Sequence, residues 1–512
     1  KLEIGGKKMG RTGNSAKNVI TGIGGQVISL VAQFVCRTVF VYTLDKEYLG
    51  VNGLFSNILT LLSLTELGFG TALIYSMYKP IAENDKAAIC KLMNLYKYIY
   101  RIVAAVILGI GLCLIPFLRY LVSGDTSIEN FQLIYVLYLL NTVCGYLLIY
   151  KKSIIDAYQK SYIATIYQKT GLIVQNIIQI IVLVVTHNFL IYLVSQICVN
   201  IGVNILISNK ATKMFPFLSA DTKTIPDKKI CKTIAKNTFA MSLHKVGGVL
   251  VEATDNLIMS AFVGLSAVGI YSNYTLIANN IRSCLIIVFN SFTASVGNLA
   301  AVENRERVHE TFRILSFAGF ILTGGCSVAL YELFNPFIRV WIGEDYLFGT
   351  TIVAVVVLNF YIYCMRRVPL MFRDAMGLFW HDRYKSLAEA AVNLVVSIVL
   401  AKKIGILGVL IGTTISSLST CVWIEPLILY KHGFKSSVVE YFKDNVIYLG
   451  SVIGVILLVD IINQFICFGG FMGVIVKGMI SALCYIAVVF IVYGRSKEFS
   501  ALKKYVLSLL KK

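Results

Sequence analysis

The chain has 512 residues, of which 57% are hydrophobic and only 14% are charged, and its mean hydropathy is +0.75. A soluble domain carries about 25% charged residues, so this composition excludes an ordinary soluble fold. The formal net charge of +20 would suit a nucleic-acid-binding protein, unless the basic residues mark something else. The twelve cysteines are scattered without a Cys-x-x-Cys pair, which is typical of small apolar fillers rather than of metal ligands.

Apolar stretches long enough to cross a bilayer follow one another along the chain. A spanning helix needs about 20 mostly apolar residues, and we count fourteen such stretches. The predicted spans are residues 18–43, 51–76, 96–118, 131–150, 166–186, 189–208, 237–262, 268–296, 312–334, 350–369, 384–401, 405–429, 445–462 and 471–493. The sequence therefore predicts an all-α polytopic membrane protein with fourteen transmembrane helices.

The basic residues follow the topology of these spans. With both termini in the cytoplasm, external turns hold only five of the 47 lysines and arginines, namely Lys46, Arg119, Arg339, Lys402 and Lys403. Cytoplasmic loops of membrane proteins carry an excess of Lys and Arg. The net charge thus reports orientation, and the prediction includes no nucleic-acid partner.

The longest connection, residues 209–236, contains two prolines and seven lysines and separates two sets of six spans. We predict a cytoplasmic tail at 1–17, an N-lobe at 18–208, a cytoplasmic linker at 209–236 and a C-lobe at 237–430. Spans thirteen and fourteen occupy 444–493, and a basic amphipathic tail occupies 494–512. This tail is typical of a helix lying on the anionic inner leaflet, although a frayed basic end fits it equally well.

An internal repeat relates the two lobes. Ala-Lys-Asn opens both the first and the seventh span, at residues 16–18 and 235–237, and at the same offset Leu49-Gly50-Val51 falls on Val268-Gly269-Ile270. Because each half has an even number of spans, the copies share one orientation. The expected architecture is two pseudo-symmetric lobes around a cavity, related by an axis along the membrane normal.

Polar side chains mark one face of the first and seventh spans. In the seventh, His244, Lys245, Glu252 and Asp255 fall within an arc of about 100° at 100° per residue. In the first, a stripe includes Gln26, Gln33 and Arg37, and the repeat offset places Gln26 on Lys245 and Gln33 on Glu252.

The second and eighth spans add further polar groups. Asn279, Arg282 and Asn290 share one side of span eight, with Arg282 near mid-depth, and Glu66 lies near mid-depth of span two. A charge at the bilayer centre costs about 2.5–3.5 kcal/mol on insertion scales. These groups must therefore pair with one another or line water.

Structural explanations compete at several of these positions. Arg37 could reach the outer interface or pair with Asp45, and Glu66 could simply neutralise Arg282 or Lys245. Polar residues of spans five and six are typical of bonds between helices and could equally line the cavity; they are Gln168, Gln175, Gln179, Gln196, Asn200 and Asn204.

Four stretches resemble a known family. "YLGVNGLFSNILTLLSLTELGFGTALIYSMYKPIAEND", "DNLIMSAFVGLSAVGIYSNYTLI", "VWIGEDY" and "EAAVNLVVSIVLAKKIGILGVLIGTTIS" are similar, in order and spacing, to segments of the bacterial polysaccharide (Wzx-type, O-antigen or capsule) flippases. The resemblance covers essentially the whole chain. It implies membership of the multidrug/oligosaccharidyl-lipid/polysaccharide exporter superfamily, with two six-helix lobes in a V around a central cavity plus two extra helices.

The resemblance also implies a function. Such proteins flip undecaprenyl-pyrophosphate-linked oligosaccharides across the bacterial cytoplasmic membrane by alternating access. A cationic cavity of Arg282, Lys245 and Arg37 suits the pyrophosphate, with Gln26, Gln33, Asn279 and Asn290 suited to sugar hydroxyls. Asp255, Glu252 and Glu66 are expected to balance charge or bind a coupling H⁺ or Na⁺. No cofactor or metal is expected. Membrane lipids are expected partners, and whether polysaccharide polymerase and chain-length machinery also bind is an open question.

Three other functions compete with this one. A multidrug/cation antiporter of the same superfamily predicts an anionic cavity, against which Arg282 counts. A flippase for a cell-wall precursor of the lipid II type shares the cationic cavity. A membrane enzyme such as an oligosaccharide polymerase needs catalytic residues on a long external loop, whereas all predicted external turns are short and no catalytic motif occurs. The sequence therefore predicts a transporter, not an enzyme.

Overall fold

The structure is a computed structural model, and its secondary structure is entirely helical, with no strand in the residues that it describes. It describes residues 8–63, 74, 76–78, 80–81, 83–122, 128–158, 160–219, 224–228, 231–232, 234, 249–251, 253–378, 381, 384–465 and 468–510. The predicted all-α class is confirmed.

The chain divides into two compact units, Lys1–Ser266 and Ala267–Lys512. Seven helices among the described residues of the first unit are numbered in chain order. They are α1 (Lys8–Thr43), α2 (Lys46–Leu62), α3 (Lys86–Leu114), α4 (Phe131–Ile149), α5 (Lys152–Ala157), α6 (Ser161–Thr186) and α7 (Phe189–Met214), with 3₁₀ turns at Ile115–Leu121 and Pro216–Ser219 and a further helical segment at residues 253–262.

The second unit continues the numbering. Its helices are α8 (Leu265–Val302, which begins two residues before the boundary), α9 (Arg305–Ile342), α10 (Thr350–Met365), α11 (Arg367–Ala375), α12 (Lys385–Ile404), α13 (Ile406–Ser419), α14 (Cys421–Ile428), α15 (Val439–Asn463), α16 (Gly470–Tyr493) and α17 (Lys497–Leu510), with a 3₁₀ turn at Glu344–Tyr346 and a π-helical turn at Leu429–Phe434.

Length and composition qualify eight helical stretches among the described residues as membrane spans. They are Lys86–Leu121, Ser161–Thr186, Phe189–Met214, Arg305–Ile342, Thr350–Ala375, Ile406–Phe434, Val439–Asn463 and Gly470–Tyr493, and shorter apolar helices occupy Ile28–Thr43 and Phe131–Leu147. The chain is therefore a multi-pass membrane protein. The count of fourteen stays a prediction, because parts of the predicted second and seventh spans lie outside the described residues.

Side-chain caps explain why the connections between several helices are so short. The α6 helix ends at Thr186 and is followed by His187, which has a left-handed backbone with φ of 52°. The Asn188 carboxamide oxygen then accepts hydrogen bonds from the amides of Leu190 and Ile191, at 2.8 and 3.2 Å, and so begins α7. An Asn in this position satisfies amides that the first helical turn leaves without a partner. The two helices consequently run antiparallel against each other.

Small residues bring α12 and α13 into close contact in the second unit. Gly405 turns the chain between them with φ of +60°, a conformation that glycine adopts without steric cost. A Cβ at Gly408 would overlap the backbone of Leu400, and one at Gly412 would overlap Ser397. The two backbones therefore approach at a distance that only glycine permits.

The last helices of the chain pack on α9. The rings of Phe320 and Tyr448 stack at 4.2 Å between centroids, and the Tyr485 hydroxyl donates to the Phe320 carbonyl at 3.1 Å. The tail predicted to be amphipathic is helical in the structure, with Phe499 packing against Phe317 and Phe490. Spans thirteen and fourteen are thus part of the core of the second unit.

Three hydrogen bonds tie the start of α8 to α9 and to the loop that precedes α10. The Tyr274 hydroxyl donates to Asn335 Oδ1 at 2.6 Å, and the Asn335 carboxamide donates to the Phe348 carbonyl at 2.9 Å. The Phe348 amide closes the cycle by donating to the Tyr274 hydroxyl at 2.8 Å. All three polar groups are therefore satisfied by each other inside the protein.

The boundary between the compact units lies after the predicted seventh span rather than in the predicted linker. Helical residues 253–262 belong to the first unit. There the Ser260 hydroxyl donates to the carbonyl of Leu121 at 2.7 Å. The predicted linker, 209–236, contributes the end of α7 and the 3₁₀ turn Pro216–Ser219 to the same unit.

Candidate functional site

Six of the ten predicted site residues have described side chains. Lys245, Glu252 and Glu66 lie outside the described residues, as does the side chain of Gln26. Gln33, Arg37 and Asp255 belong to the first unit, and Asn279, Arg282 and Asn290 belong to the second.

Arg282 lies on α8 with its guanidinium against an aromatic ring. Its Cζ atom is 4.2 Å from the ring centroid of Tyr363 on α10, and the Cζ atom of Arg367 is 4.3 Å from the same centroid. A guanidinium over a ring face at this distance gains about 0.5–2 kcal/mol and keeps a defined orientation. One tyrosine thus holds two cations in the second unit.

Two predicted hydrogen-bonding residues flank Arg282 on the same helix. Asn279 and Asn290 are both exposed and lie within about 20° of each other around the helix axis. Arg282 lies about 60–80° from them by the same geometry. The continuous helix Leu265–Val302 therefore keeps the predicted polar face, on which exposed carboxamides adjoin a half-buried cation.

Arg37 lies half-buried in the first unit and points among polar groups of neighbouring helices. Its charge acts on the hydroxyls of Tyr138 on α4 and Tyr192 on α7. The adjacent Cys36 thiol donates to Gln179 Oε1 on α6 at 3.9 Å. This environment favours an interior position for Arg37 over one at the outer interface. The nearby Gln33 is also half-buried.

Hydrogen bonds connect the polar residues of the fifth and sixth spans. Gln179 accepts from Gln175 at 3.4 Å and donates to Gln196 at 3.5 Å. Asn200 donates to Asn141 of α4 at 2.9 Å and accepts from Asn204 at 3.2 Å. Only the Gln179–Gln196 and Asn200–Asn141 bonds join different helices, and bonds of this kind contribute about 0.6 kcal/mol each on average. The observed geometry thus favours bonding between helices for Gln179, Gln196 and Asn200.

Asp255 is 8% exposed in the helical segment 253–262. Its neighbours Ala253, Ile258 and Met259 are buried as well. A carboxylate in such a segment is costly unless it binds a proton, a cation or a hydrogen-bond donor. The ion-coupling role expected of Asp255 stays a prediction.

A buried cluster of four charges in the second unit was not predicted from the sequence. Arg366, where α10 meets α11, donates to both carboxylate oxygens of Glu425 on α14, at 3.1 and 2.8 Å, and to Glu389 on α12 at 3.2 Å. The Lys385 ammonium also donates to Glu425. All four side chains are at most 15% exposed. Two cations thus balance two anions.

Neutral donors complete this cluster. Glu389 accepts from the Ser417 hydroxyl and from the Cys421 thiol, both at 2.9 Å. A buried ion pair is tolerated only where hydrogen bonds satisfy its remaining lone pairs. The signal in the sequence was that Glu389 and Glu425 each interrupt a predicted span, and that Arg366 lies near the end of another.

A second carboxylate that was not predicted lies between α9 and α15. Asn463 donates to Glu332 Oε2 at 2.6 Å, whereas Glu332 Oε1 and Asn463 Oδ1 accept no hydrogen bond from any described residue. The charges of Lys477 and Asp460 act on Glu332. Lys477 on α16 thus has a buried anionic neighbour.

No group of three or more His, Cys, Asp or Glu side chains suited to a metal ion occurs in the described part of the chain. The polar chemistry in both units is that of guanidinium, ammonium, carboxylate and carboxamide groups. These groups bind anions, protons and hydroxyls by charge and hydrogen bonding.

Solved structures of other proteins share this fold, although no protein-family model matches the chain and no curated protein sequence matches it. The lipid II flippase MurJ in its inward closed conformation aligns over 93% of this chain and 99% of its own, with a TM-score of 0.66 and 16% identity.

Two other solved structures have the same fold. A point mutant of the Vibrio cholerae MATE transporter VcmN covers 82% of this chain and 98% of its own, with a TM-score of 0.56 and 15% identity. A MOP superfamily transporter from Pyrococcus furiosus covers 79% and 91%, with a TM-score of 0.53 and 13% identity. The chain therefore has the fold of MOP superfamily transporters, and its structure resembles that of a lipid flippase over nearly its whole length.

Proposed function

We propose that this protein flips undecaprenyl-pyrophosphate-linked oligosaccharides from the inner to the outer leaflet of the bacterial cytoplasmic membrane by alternating access, for surface polysaccharide biosynthesis. The observation that carries the proposal is the position of Arg282, a cation held over Tyr363 on the polar face of α8. On this proposal the protein is a transporter and not an enzyme, its termini are cytoplasmic, and it hands its cargo to polymerase and chain-length machinery.

The fold supports transport of a lipid-linked cargo or of a drug, and the sign of the charges separates these two. For the Pyrococcus furiosus transporter, reverse polarity of the binding pocket suggests a different function within the superfamily. In this chain the described side chains of the predicted binding set include two arginines, Arg37 and Arg282. Cations of this kind favour an anionic cargo over a cationic drug.

The chemistry of a pyrophosphate fits these groups. Moving a bare ionised group into hydrocarbon costs tens of kcal/mol by simple solvation estimates, so a flippase must replace its hydration shell. A guanidinium offers a planar fork of N–H donors that matches phosphate oxygens. Stacking on a ring face, as on Tyr363, does not itself use the N–H donors at the edges of a guanidinium. Lys245 and Arg37 would supply further positive charge on the path of the headgroup.

The carboxamides beside Arg282 suit the sugar part of the cargo. Asn279 and Asn290 are exposed on the same helix, and each carries two donors and one acceptor group. Gln26 and Gln33 would present the same chemistry from α1. Sugar hydroxyls both donate and accept, so such side chains bind them without demanding one particular glycan.

Asp255, Glu252 and Glu66 would couple transport to an ion. A buried carboxylate such as Asp255 can alternate between a proton or Na⁺ and a nearby cation. Exchange of these partners would change the relative stability of two conformations, which is the thermodynamic requirement for coupled alternating access. The driving ion would be H⁺ or Na⁺, and no other cofactor is needed.

The structural likeness to a lipid II flippase favours a second cargo, the cell-wall precursor. Both cargoes present the same anionic headgroup chemistry to Arg282 and differ in their sugars. Purified protein in liposomes that contain fluorescent lipid II, or a lipid-linked oligosaccharide from the native host, separates the two by the rate at which each becomes accessible outside.

The central experiment compares Arg282→Ala with Arg282→Lys and Arg339→Ala in a deletion strain. Arg339 is an exposed arginine in a surface ion pair with Glu344 and serves as the matched control. We expect Arg282→Ala to abolish surface polysaccharide and to accumulate lipid-linked sugar in the inner leaflet, with normal protein levels. Arg282→Lys should retain part of the activity and Arg339→Ala all of it. Wild-type polymer in Arg282→Ala cells would refute the proposed role.

A further inference from the structure

The first unit contains a pocket that the proposed transport path does not use. Its volume is about 250 Å³, room for roughly eight water molecules at ~30 Å³ each and less than a drug-sized ligand fills. Two helices and two connections line it, through Cys90, Met93, Asn94, Lys97, Tyr150, Lys151, Thr212 and Leu218. One small headgroup fits this space.

Two ammonium groups face this pocket. Lys97 belongs to α3, and Lys151 lies at the junction of α4 and α5. No carboxylate of the described residues lies within 4.0 Å of either ammonium. Burial and the charge of Lys97 together lower the pKa of Lys151. Like charges that have no counterion among the described residues raise the free energy of the empty pocket, and an anion would lower it.

Neutral groups hold Lys151 and one wall of the pocket in place. The Lys151 ammonium donates to the Thr212 hydroxyl of α7 at 2.9 Å, and Thr212 in turn donates to the Ser208 carbonyl at 3.0 Å. Asn94 donates to the Thr224 carbonyl at 2.9 Å, which ties the chain after α7 to the pocket wall. A lysine whose ammonium is simply hydrated at the surface would not need a hydroxyl such as that of Thr212 to bind it. The pocket wall is therefore ordered around Lys151, with the Lys97 ammonium in the same lining.

On the predicted topology, the pocket lies on the cytoplasmic side, where phosphate groups are available. Lys151 begins a connection predicted to be cytoplasmic, and Thr212 lies in the predicted linker 209–236. The walls are mixed, since Met93 and Cys90 are buried apolar residues beside the polar ones. Basic groups at this boundary attract the phosphates of the inner leaflet, and they bind free phosphate by the same chemistry.

We propose that the pocket lined by Lys97 and Lys151 is a binding site for a single phosphate group on the cytoplasmic side of the first unit. The two ammonium groups bind the phosphate oxygens. Asn94 and Tyr150 line the same pocket and donate further hydrogen bonds to the phosphate. The phosphate comes either from an anionic phospholipid of the inner leaflet or from solution. This site is independent of the cargo assigned to Arg282, and it requires no flipping activity.

The test uses the purified full chain with lipid removed, and compares wild type with Lys97→Gln/Lys151→Gln. The control is Lys91→Gln/Lys213→Gln, which removes the same charge from exposed positions on α3 and α7. Binding of phosphatidylglycerol is counted by native mass spectrometry over a lipid titration. Binding of inorganic phosphate is measured as a shift in Tm at constant ionic strength against chloride.

We expect the pocket variant to bind on the order of thirtyfold more weakly than wild type and control, from the usual gain per lysine near a membrane surface. If the pocket variant loses binding of phosphatidylglycerol only, the bound phosphate belongs to the lipid. If the pocket variant loses the Tm shift caused by inorganic phosphate, the site binds the free ion. Equal binding by pocket and control variants in both assays overturns the proposal. If the double variant misfolds, the single variant Lys97→Glu is used in its place, because it leaves the bond between Lys151 and Thr212 intact. We expect Lys97→Glu to abolish binding.

Discussion

Arg366 and Glu425 form a two-point ion pair inside the second unit. The Nε and Nη2 atoms of Arg366 lie 3.1 and 2.8 Å from the two carboxylate oxygens of Glu425, and the Glu425 side chain has no exposed surface. Lys385 and Glu389 complete the cluster, which links the α10–α11 junction to α12 and α14. Its charges balance, so the loss of one member leaves an uncompensated charge.

Glu425→Gln should destabilise the protein by about 3–5 kcal/mol, the usual cost of breaking a buried ion pair from one side. The substitution leaves Arg366 and Lys385 facing a single carboxylate. Adding Lys385→Met restores the balance and should recover part of the loss. The free energy of unfolding can be measured by titration with a denaturing detergent. Glu440→Gln is the control, because Glu440 is exposed in its ion pair with Arg313, and an equal loss in that variant would contradict the argument.

Asp255→Asn should uncouple transport from its driving ion and leave the protein folded. The amide keeps the shape of the buried side chain and can neither release a proton nor neutralise a cation. Flipping in liposomes would continue down a cargo gradient but would no longer respond to an imposed H⁺ or Na⁺ gradient. If transport by the variant still follows the gradient, Asp255 has no coupling role, and Glu252 and Glu66 become the residues to test.

Gly408→Ala should destabilise the α12–α13 pair by about 1–3 kcal/mol, the usual cost of overpacking a tight contact. The new methyl group would overlap the backbone of Leu400, which cannot move aside as a side chain could. Gly454→Ala is the matched control, since nothing lies within 4 Å of a Cβ there, and it should be neutral or stabilising by up to ~1 kcal/mol. Thermal unfolding of both purified variants tests this, and similar Tm values would show that the backbones can separate.

Asp156 should make the first unit less stable as pH rises. Burial raises the pKa of Asp156 above its ordinary 3.8, partly opposed by Lys152 and by a hydrogen bond from Ser161. The unfolded chain therefore loses this proton at a lower pH than the folded chain, so stability falls as pH rises from about 3.8 through the folded-state pKa. One oxygen of the carboxylate also has no partner among the described residues.

Asp156→Asn should consequently raise Tm at pH 7, and its advantage should shrink as the pH approaches 4. The exposed Asp227 supplies the control substitution Asp227→Asn. A Tm difference for Asp156→Asn that stays constant from pH 4 to pH 7 would show that ionisation of this carboxyl is not responsible.

Most of the fold could be predicted because hydrophobicity alone dictates it. The predicted sixth and fourteenth spans, 189–208 and 471–493, correspond to α7 and α16, since a bilayer requires helices of that length. Helix ends were less predictable. The α9 helix, Arg305–Ile342, extends beyond the predicted span 312–334 because Asn304 caps polar turns outside the apolar stretch.

The candidate site was only partly predictable, because periodicity shows which residues share a helix face and not which helices meet. Asn279, Arg282 and Asn290 were found by their spacing along α8. The contact of Arg282 with Tyr363 joins residues that are distant in sequence, and no spacing rule indicates it. The cluster around Glu425 was missed for the same reason, since its charges come from segments that are far apart in the chain.

The cycle of hydrogen bonds among Tyr274, Asn335 and Phe348 has a mechanical consequence. It fastens α8 to α9 at Tyr274, and Arg282 lies eight residues farther along, about 12 Å at 1.5 Å per residue. Any movement of Arg282 relative to α9 must therefore be a rotation or a bend of α8 about Tyr274. A force on the Arg282 guanidinium would bend α8 or displace its C-terminal end, while Tyr274 keeps its position against α9.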